Sequence, residues 1–232
     1  MRIAIDIDDT MTNIKDKLTN AAIKYAKSLK KDLHNIAYNI VDIYNNENIF
    51  QELFNFNYEE LKYFLGTIQE EITDNAIPRE NCVKVINKLH NDGNEIYIIT
   101  ARDKEFHDDP YLQSKQWLEK NLIYYDKLIV NARDKGKACI ENNIDLLIDD
   151  NIKNCLNVNN LGIDTIVFGN KNDIGIKNIN NWEEMYEYIN NKKIIKITQY
   201  KEKYKDNVCL FINECMHNFI GDLIKKDQMY LI

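Results

Sequence analysis

Residues 95–168 read EIYIIT ARDKEFHDDP YLQSKQWLEK NLIYYDKLIV NARDKGKACI ENNIDLLIDD NIKNCLNVNN LGIDTIVF. Short apolar runs alternate here with stretches of helical spacing. A strand at 95–100 is followed by a helix at about 111–121 and a strand at 127–130. A helix at about 135–143 then leads to a strand at 146–148, and a helix at about 151–160 to a strand at 164–168. Strands alternating with helices predict an α/β fold, a parallel sheet covered on both faces. Such sheets bind ligands at the carboxyl ends of their strands. The polar residues just after each strand are therefore where chemistry is expected.

Working back toward the N-terminus, Arg2–Ile7 forms another short buried strand, and it runs into Asp6, Asp8 and Asp9. Apolar residues Ile14, Leu18, Ala21, Ala22, Tyr25, Ala26 and Leu29 recur at helical spacing. Residues 32–73 continue as helix, anchored by Tyr38, Tyr44, Phe50, Phe54, Phe56, Tyr63 and Phe64. Pro78 is expected to open a helix that Asn91-Asp92-Gly93 closes. Beyond the last strand, 181–191 reads as a short helix, with Trp182, Met185 and Tyr186 inward. Residues 205–226 read as a further amphipathic helix, carrying Val208, Phe211, Ile212, Cys215, Phe219 and Leu223. Its apolar face must be covered, by the sheet domain or by a second copy in a homodimer.

Composition narrows the function. The chain has 232 residues, 44% hydrophobic, with a formal net charge of −7. That is a globular composition, and its acidity argues against a nucleic acid polymer as partner. Acidic Asp6 arrives before any apolar run, so no secretory leader is expected. No stretch approaches the roughly 18 apolar residues of a membrane span. The cysteines at 82, 139, 155, 209 and 215 contain no C-x-x-C pair. They read as small buried hydrophobes in a reduced, cytoplasmic protein.

Four strand ends offer Asp6 and Asp8, Thr100, Lys135, and Asp149-Asp150. Carboxylates crowded into a partly dry crevice repel one another. A hard cation relieves the repulsion, and all-oxygen ligation favours Mg²⁺. Cation, lysine and hydroxyl around a carboxylate make a phosphate site. Asp6 can then attack phosphorus to give an aspartyl-phosphate, while Asp8 passes protons to the leaving oxygen and from water. Lys137 competes with Lys135 for the cation's place. Arg102 is expected to bind substrate or to pair with a neighbouring carboxylate. His107-Asp108-Asp109 reads as a solvated loop. The aromatics between Phe50 and Phe64 read as helical core or as a stacking surface for a nucleobase.

In order along the chain, Asp6-Ile7-Asp8-Asp9-Thr10, Thr100, Lys135 in Arg133-Asp134-Lys135, and Asp149-Asp150 resemble motifs I to IV of the haloacid dehalogenase superfamily. The text MRIAIDIDDTMTN, IITAR, ARDK and DLLIDDN is most similar to the 5′(3′)-deoxyribonucleotidase group and related bacterial nucleotidases. It differs from the common pattern of that group at Asp9-Thr10, Ala101 and Ile14. The resemblance implies a three-layer α/β/α Rossmann-like core, formed by residues 1–12 and 76–191. It also implies a helical type 1 cap over 13–75, with 192–232 an extension that packs on the core or forms an oligomer contact. It implies Mg²⁺ held by Asp6, Asp8 through its main-chain carbonyl, and Asp150 or Asp149. Thr100, Ala101 and Lys135 would hold phosphate, and Lys115 would be a phosphate-side cation. The expected activity is Mg²⁺-dependent phosphomonoester hydrolysis of a small metabolite, foremost a nucleoside monophosphate. The alternatives are another small ester such as a sugar phosphate, or an idle phosphate-binding module.

Overall fold

A computed structural model describes residues 1–33, 49–169 and 175–203. The elements are β1 (Arg2–Ile5), α1 (Lys15–Ser28), α2 (Ile49–Phe54), α3 (Tyr58–Tyr63), a π-helical turn (Phe64–Gln69), and α4 (Glu70–Asp74). They continue as α5 (Cys82–Asn91), β2 (Glu95–Ile99), α6 (Pro110–Lys120), β3 (Lys127–Ile129), α7 (Lys135–Glu141), and β4 (Leu146–Asp149). Last come α8 (Ile152–Asn160), β5 (Asp164–Phe168), β6 (Lys177–Ile179) and α9 (Trp182–Lys203). The chain divides into two compact units, Met1–Tyr186 and Glu187–Ile232. The whole sheet lies in the first.

The sheet is six-stranded and parallel throughout, in the order β3-β2-β1-β4-β5-β6. Ile3, Ala4 and Ile5 of β1 and Leu146, Leu147 and Ile148 of β4 are all buried. Continuous apolar strands of this kind fit the middle of a sheet covered on both faces. The chain steps from β1 to β2 on one side, and β4 lies on the other. The order therefore reverses between β1 and β4, which opens a crevice at their carboxyl ends. Below the crevice, one face of the sheet packs Ala4, Tyr97, Ile99 and Leu147 against Ala138 and Cys139 of α7 and Val158 of α8.

The insertion between β1 and α5 has its own apolar core. Ala22 and Ala26 of α1 pack with Phe54, Phe56, Leu61 and Phe64. The expected continuous helix is broken in two ways. Asn55 takes a left-handed φ of 51°, and Asn57 begins α3 with a reciprocal capping box to Glu60. The run from α3 to α4 then passes through the π-helical turn. At its centre, a Cβ on Gly66 would sit 2.4 Å from the backbone oxygen of Phe106, so only glycine permits this approach.

Several other sequence expectations are corrected. Pro78 does not open a helix. It forms an antiparallel bridge with Thr12, and α5 begins at Cys82. The short strand β6 had no sequence counterpart; its Lys177-Asn178-Ile179 carries a single apolar residue. The helix expected at 181–191 continues to Lys203. Residues 34–48 and the helix expected at 205–226, with Cys209 and Cys215, lie outside the described residues. Cys82, Cys139 and Cys155 are buried free thiols. Among the described residues, no helix is long and apolar enough to cross a membrane.

Candidate active site

The crevice opens into a cavity of about 530 Å³. Its polar floor consists of Asp6, Asp8, Thr100, Asp149 and Asp150, which end or follow strands, and Lys135, which begins α7. Parallel register explains the convergence. Ile5 pairs with Ile98 and Ile148, and Asp6 N–H donates to the Ile148 carbonyl at 3.0 Å. Thr100 N–H likewise donates to the Ile129 carbonyl at 3.0 Å.

Lys135 lies at the centre. It is the first residue of α7, whose N-cap Asp134 accepts from Lys137 N–H. A Cβ on Gly136 would lie 2.8 Å from Leu161 and 2.9 Å from Asn157, so the bare glycine lets this helix end press close. The ammonium reaches Asp6 at 2.5 Å and Asp149 at 2.8 Å. Burial works against its charge, but Asp149 and Asp6 outweigh that and raise its pKa above the ordinary lysine value. Lys137 instead faces outward and pairs with Glu141 at 3.9 Å.

Asp6 has the opposite problem. Burial, opposed by Lys135 and reinforced by Asp149 and Asp8, pushes its carboxyl up to about 7. A carboxylate in this position is ionised only when enough positive charge stands beside it. Burial also acts upward on Asp8, but the Arg102 guanidinium overcomes it and holds that carboxyl below its usual value. Arg102 Nε donates to Asp8 Oδ2 at 2.9 Å and Nη2 to Oδ1 at 2.7 Å. Arg102 thus meets the neighbouring carboxylate expected of it, and it also lines the cavity.

Asp9 sits at a left-handed φ of 57°. Its side chain accepts from Ile14 and Lys15 N–H at 3.0 and 2.9 Å, which turns the chain out of the sheet into α1. Arg79 ties down the return crossing, donating from its backbone to the Met11 carbonyl and from Nη2 to the Asp9 carbonyl.

Asp149 and Asp150 differ in their surroundings. Asp149 is 1% exposed; it holds Lys135 and accepts from Asn151 N–H at 2.8 Å and Asn154 Nδ2 at 3.1 Å. Asp150 is half-buried, and its N–H donates to Thr10 Oγ1 at 2.9 Å. One carboxylate oxygen from each of Asp6, Asp149 and Asp150 lies within 4.8 Å of the others. This all-oxygen donor set fits a hard divalent cation.

The insertion forms the opposite wall with Ile14, Leu18, Phe50, Tyr58, Leu61 and Leu65. Among the aromatics singled out from the sequence, Phe50 lines the cavity, whereas Phe54, Phe56 and Phe64 are buried in the insertion's core. Ala101 also lines the cavity. Lys115 is not among its lining residues; its half-exposed side chain pairs with Glu119 at 3.7 Å.

The loop after β2 departs from expectation. His107 is buried, lines the cavity and lies 3.5 Å from Glu70 of α4. Asp109, two residues on, caps α6. The loop is drawn inward because Phe106 packs against the insertion's apolar core. Sequence reading passed over Phe106, Asn151 and Asn154. An apolar residue inside the acidic stretch Asp103–Asp109 was the available signal for the first. The N-cap position after Asp149-Asp150 was the signal for Asn151.

Solved structures share this fold. Residues covering 81% of this chain and 97% of a haloacid dehalogenase-like hydrolase from Streptococcus pneumoniae, SP0104, superpose with a TM-score of 0.62 at 14% identity. The YfnB hydrolase of Bacillus subtilis, a magnesium-bound structure, covers 82% of this chain and 98% of its own with a TM-score of 0.53 at 15% identity. The protein is thus a phosphoric monoester hydrolase with the haloacid dehalogenase fold. More narrowly, residues 1–195 match the family model described as 5′ nucleotidase, deoxy (pyrimidine), cytosolic type C protein, and the chain belongs to that family. A Bacillus subtilis (strain 168) protein provisionally named nucleotidase YqfW is 26% identical over 200 residues, 83% of this chain and 95% of its own length. A Bacillus cereus protein with a similar provisional name is 28% identical over 142 residues, 59% of this chain and 68% of its own.

Proposed function

We propose that the protein is a Mg²⁺-dependent nucleotidase that hydrolyses deoxynucleoside monophosphates through an aspartyl-phosphate on Asp6. The observation that carries this is the buried Asp6–Lys135–Asp149 cluster at the foot of a cavity whose other wall is apolar and partly aromatic. The family description supports the nucleotide, and the magnesium-bound neighbour supports the metal.

Asp6 and Asp150 would hold the cation, with Asp149 supporting Lys135. When bound, Mg²⁺ supplies positive charge that keeps Asp6 ionised and offsets the charge of the phosphoryl oxygens. An Asp6 oxygen forms a bond to phosphorus as the ester P–O bond breaks, and the leaving oxygen takes a proton from Asp8. In the second half, water loses a proton to Asp8 and attacks phosphorus. The bond to Asp6 breaks, and inorganic phosphate leaves. Thr100 and Ala101 contribute the wall where phosphoryl oxygens lie, and Lys135 neutralises charge there. The insertion (13–75) acts as a cap on the core (1–12 and 76–191), and its closure excludes bulk water. Phe50, Tyr58 and Phe106 give a base an apolar surface to stack on.

The test is phosphate release, with and without Mg²⁺. The panel holds deoxy- and ribonucleoside 5′- and 3′-monophosphates, sugar phosphates and p-nitrophenyl phosphate, with Asp6→Asn as control. Preference for deoxynucleotides, lost in Asp6→Asn, is the expected result. Turnover of sugar phosphates alone would overturn the substrate, and wild-type turnover by Asp6→Asn would overturn the covalent scheme.

A further inference from the structure

We propose that Arg102 is the positioning residue for Asp8, and that its guanidinium sets the orientation of the proton-transferring carboxylate rather than binding the substrate's phosphate. The inference rests on the reading of Asp8 as the acid–base group.

The two side chains come from neighbouring strand ends. Asp8 follows β1 and Arg102 follows β2, and the two strands are paired in parallel register. The guanidinium meets the carboxylate as a two-pronged fork, Nε to one oxygen and Nη2 to the other. Two parallel bonds fix the plane of the carboxylate as well as its distance, which a single bond from a lysine would not do. Each Asp8 oxygen keeps a second lone pair, so a fork on one edge leaves the carboxylate able to exchange a proton on the other. The Arg102 side chain is 3% exposed and lines the cavity; Nε and Nη2 are engaged by Asp8, and the remaining nitrogen, Nη1, is buried without a hydrogen-bond partner.

Arg102 is itself held at the backbone. Its N–H donates to Thr100 Oγ1 at 3.3 Å, and its carbonyl accepts from Asn131 N–H at 2.8 Å. Thr100 and Asn131 follow β2 and β3. The fork therefore rests on two strand ends, and it ties the orientation of Asp8 to the sheet rather than to the insertion. Acid–base transfer contributes about 10²–10⁴ in rate and needs the group within hydrogen-bond reach of the reacting oxygen. Loss of the fork should forfeit much of that.

The experiment measures kcat, KM and the inhibition constant of inorganic phosphate, with Mg²⁺ present, for wild type, Arg102→Lys, Arg102→Ala, Asp8→Asn and the double variant Asp8→Asn/Arg102→Ala. Melting temperatures check that each is folded. Arg102→Lys keeps the charge and the bulk, so it reports on the fork if the alanine variant does not fold. The expected result is a fall in kcat of about 10²-fold for Arg102→Lys, with phosphate inhibition unchanged within about twofold. The double variant should be no slower than Asp8→Asn alone, because residues acting as a unit are not additive. Added guanidinium should restore part of the rate of Arg102→Ala. Phosphate inhibition weakened about tenfold with kcat intact would overturn the inference and make Arg102 a substrate ligand. Multiplying losses in the double variant would overturn it too. Full turnover by Asp8→Asn would instead remove the underlying reading. A slow Asp8→Asn beside an undiminished Arg102→Lys would remove only the role given to Arg102.

Discussion

Replacing Lys135 by methionine keeps most of the buried volume and deletes the charge. Lys135 is 2% exposed and stands 2.5 Å from Asp6 and 2.8 Å from Asp149, which are themselves buried. Two carboxylates then face each other without a cation. Breaking a buried ion pair by removing one partner costs about 3–5 kcal/mol. For a protein of this size each kcal/mol moves the melting temperature by about 2–4 °C, so the expected fall is roughly 6–20 °C. The loss should depend on pH. Burial holds the Asp6 carboxyl up at about 7 even with Lys135 beside it, and it rises further once the lysine is gone, so at pH 8 the variant forfeits the ionised pair, whereas at pH 5 Asp6 carries a proton in both proteins and less is lost. Mg²⁺ should return part of the stability, because it binds the folded state and replaces the missing charge. The assay is thermal unfolding at pH 5 and pH 8, with EDTA and with Mg²⁺. A fall of less than about 2 °C at pH 8 in EDTA, or a larger fall at pH 5 than at pH 8, would refute the electrostatic account of the cluster.

Three further outcomes are expected. In metal-free protein, Asp6 holds a proton that the unfolded chain releases, so its contribution lowers stability as pH rises from about 4 through about 7. Urea unfolding from pH 5 to pH 8 should fall more steeply for wild type than for Asp6→Asn, and equal slopes would contradict this. Gly66→Ala places a Cβ 2.4 Å from the Phe106 oxygen and forces the insertion away from the loop after β2. Overpacking of this kind costs about 1–3 kcal/mol, and KM should rise with the fall in melting temperature; an unchanged melting temperature would count against the contact. Wild type is expected to melt higher with Mg²⁺ than without, and Asp150→Ala should abolish that rise. If Asp149 alone were the metal-holding partner of Asp6, that rise would persist.

The strands and the four chemical positions were legible because each is encoded locally. Apolar runs such as Leu146–Ile148 leave few alternatives to a buried strand; Asp6, Thr100 and Asp149 come directly after such runs, and Lys135 follows its strand across a short loop. Parallel pairing then carries Asp6, Thr100 and Asp149 to one edge without further information. Lys135 could be preferred to Lys137 by motif, but burial makes the distinction physical. The first position of α7 points the side chain at Asp6, and two residues on the helix has turned outward.

What escaped the sequence depends on contacts between distant segments. The insertion read as one helical stretch because its aromatics keep helical spacing. The left-handed turn at Asn55 and the π-helical turn around Gly66 exist only because the segment packs against its own core and against Phe106. The acidic loop 103–109 read as solvated because its composition is polar. One phenylalanine, Phe106, packed against a core built from Ala22 to Phe64, brings His107 inward with it. The partner of Arg102 lies 94 residues earlier, and no local pattern selects a carboxylate over a substrate phosphate for a lone arginine. The parallel sheet and the acids and lysine at its edge follow from short segments, since periodicity and strand-end placement are local properties. Which charges meet follows from the fold, because pairing in a buried site depends on geometry summed over distant parts of the chain.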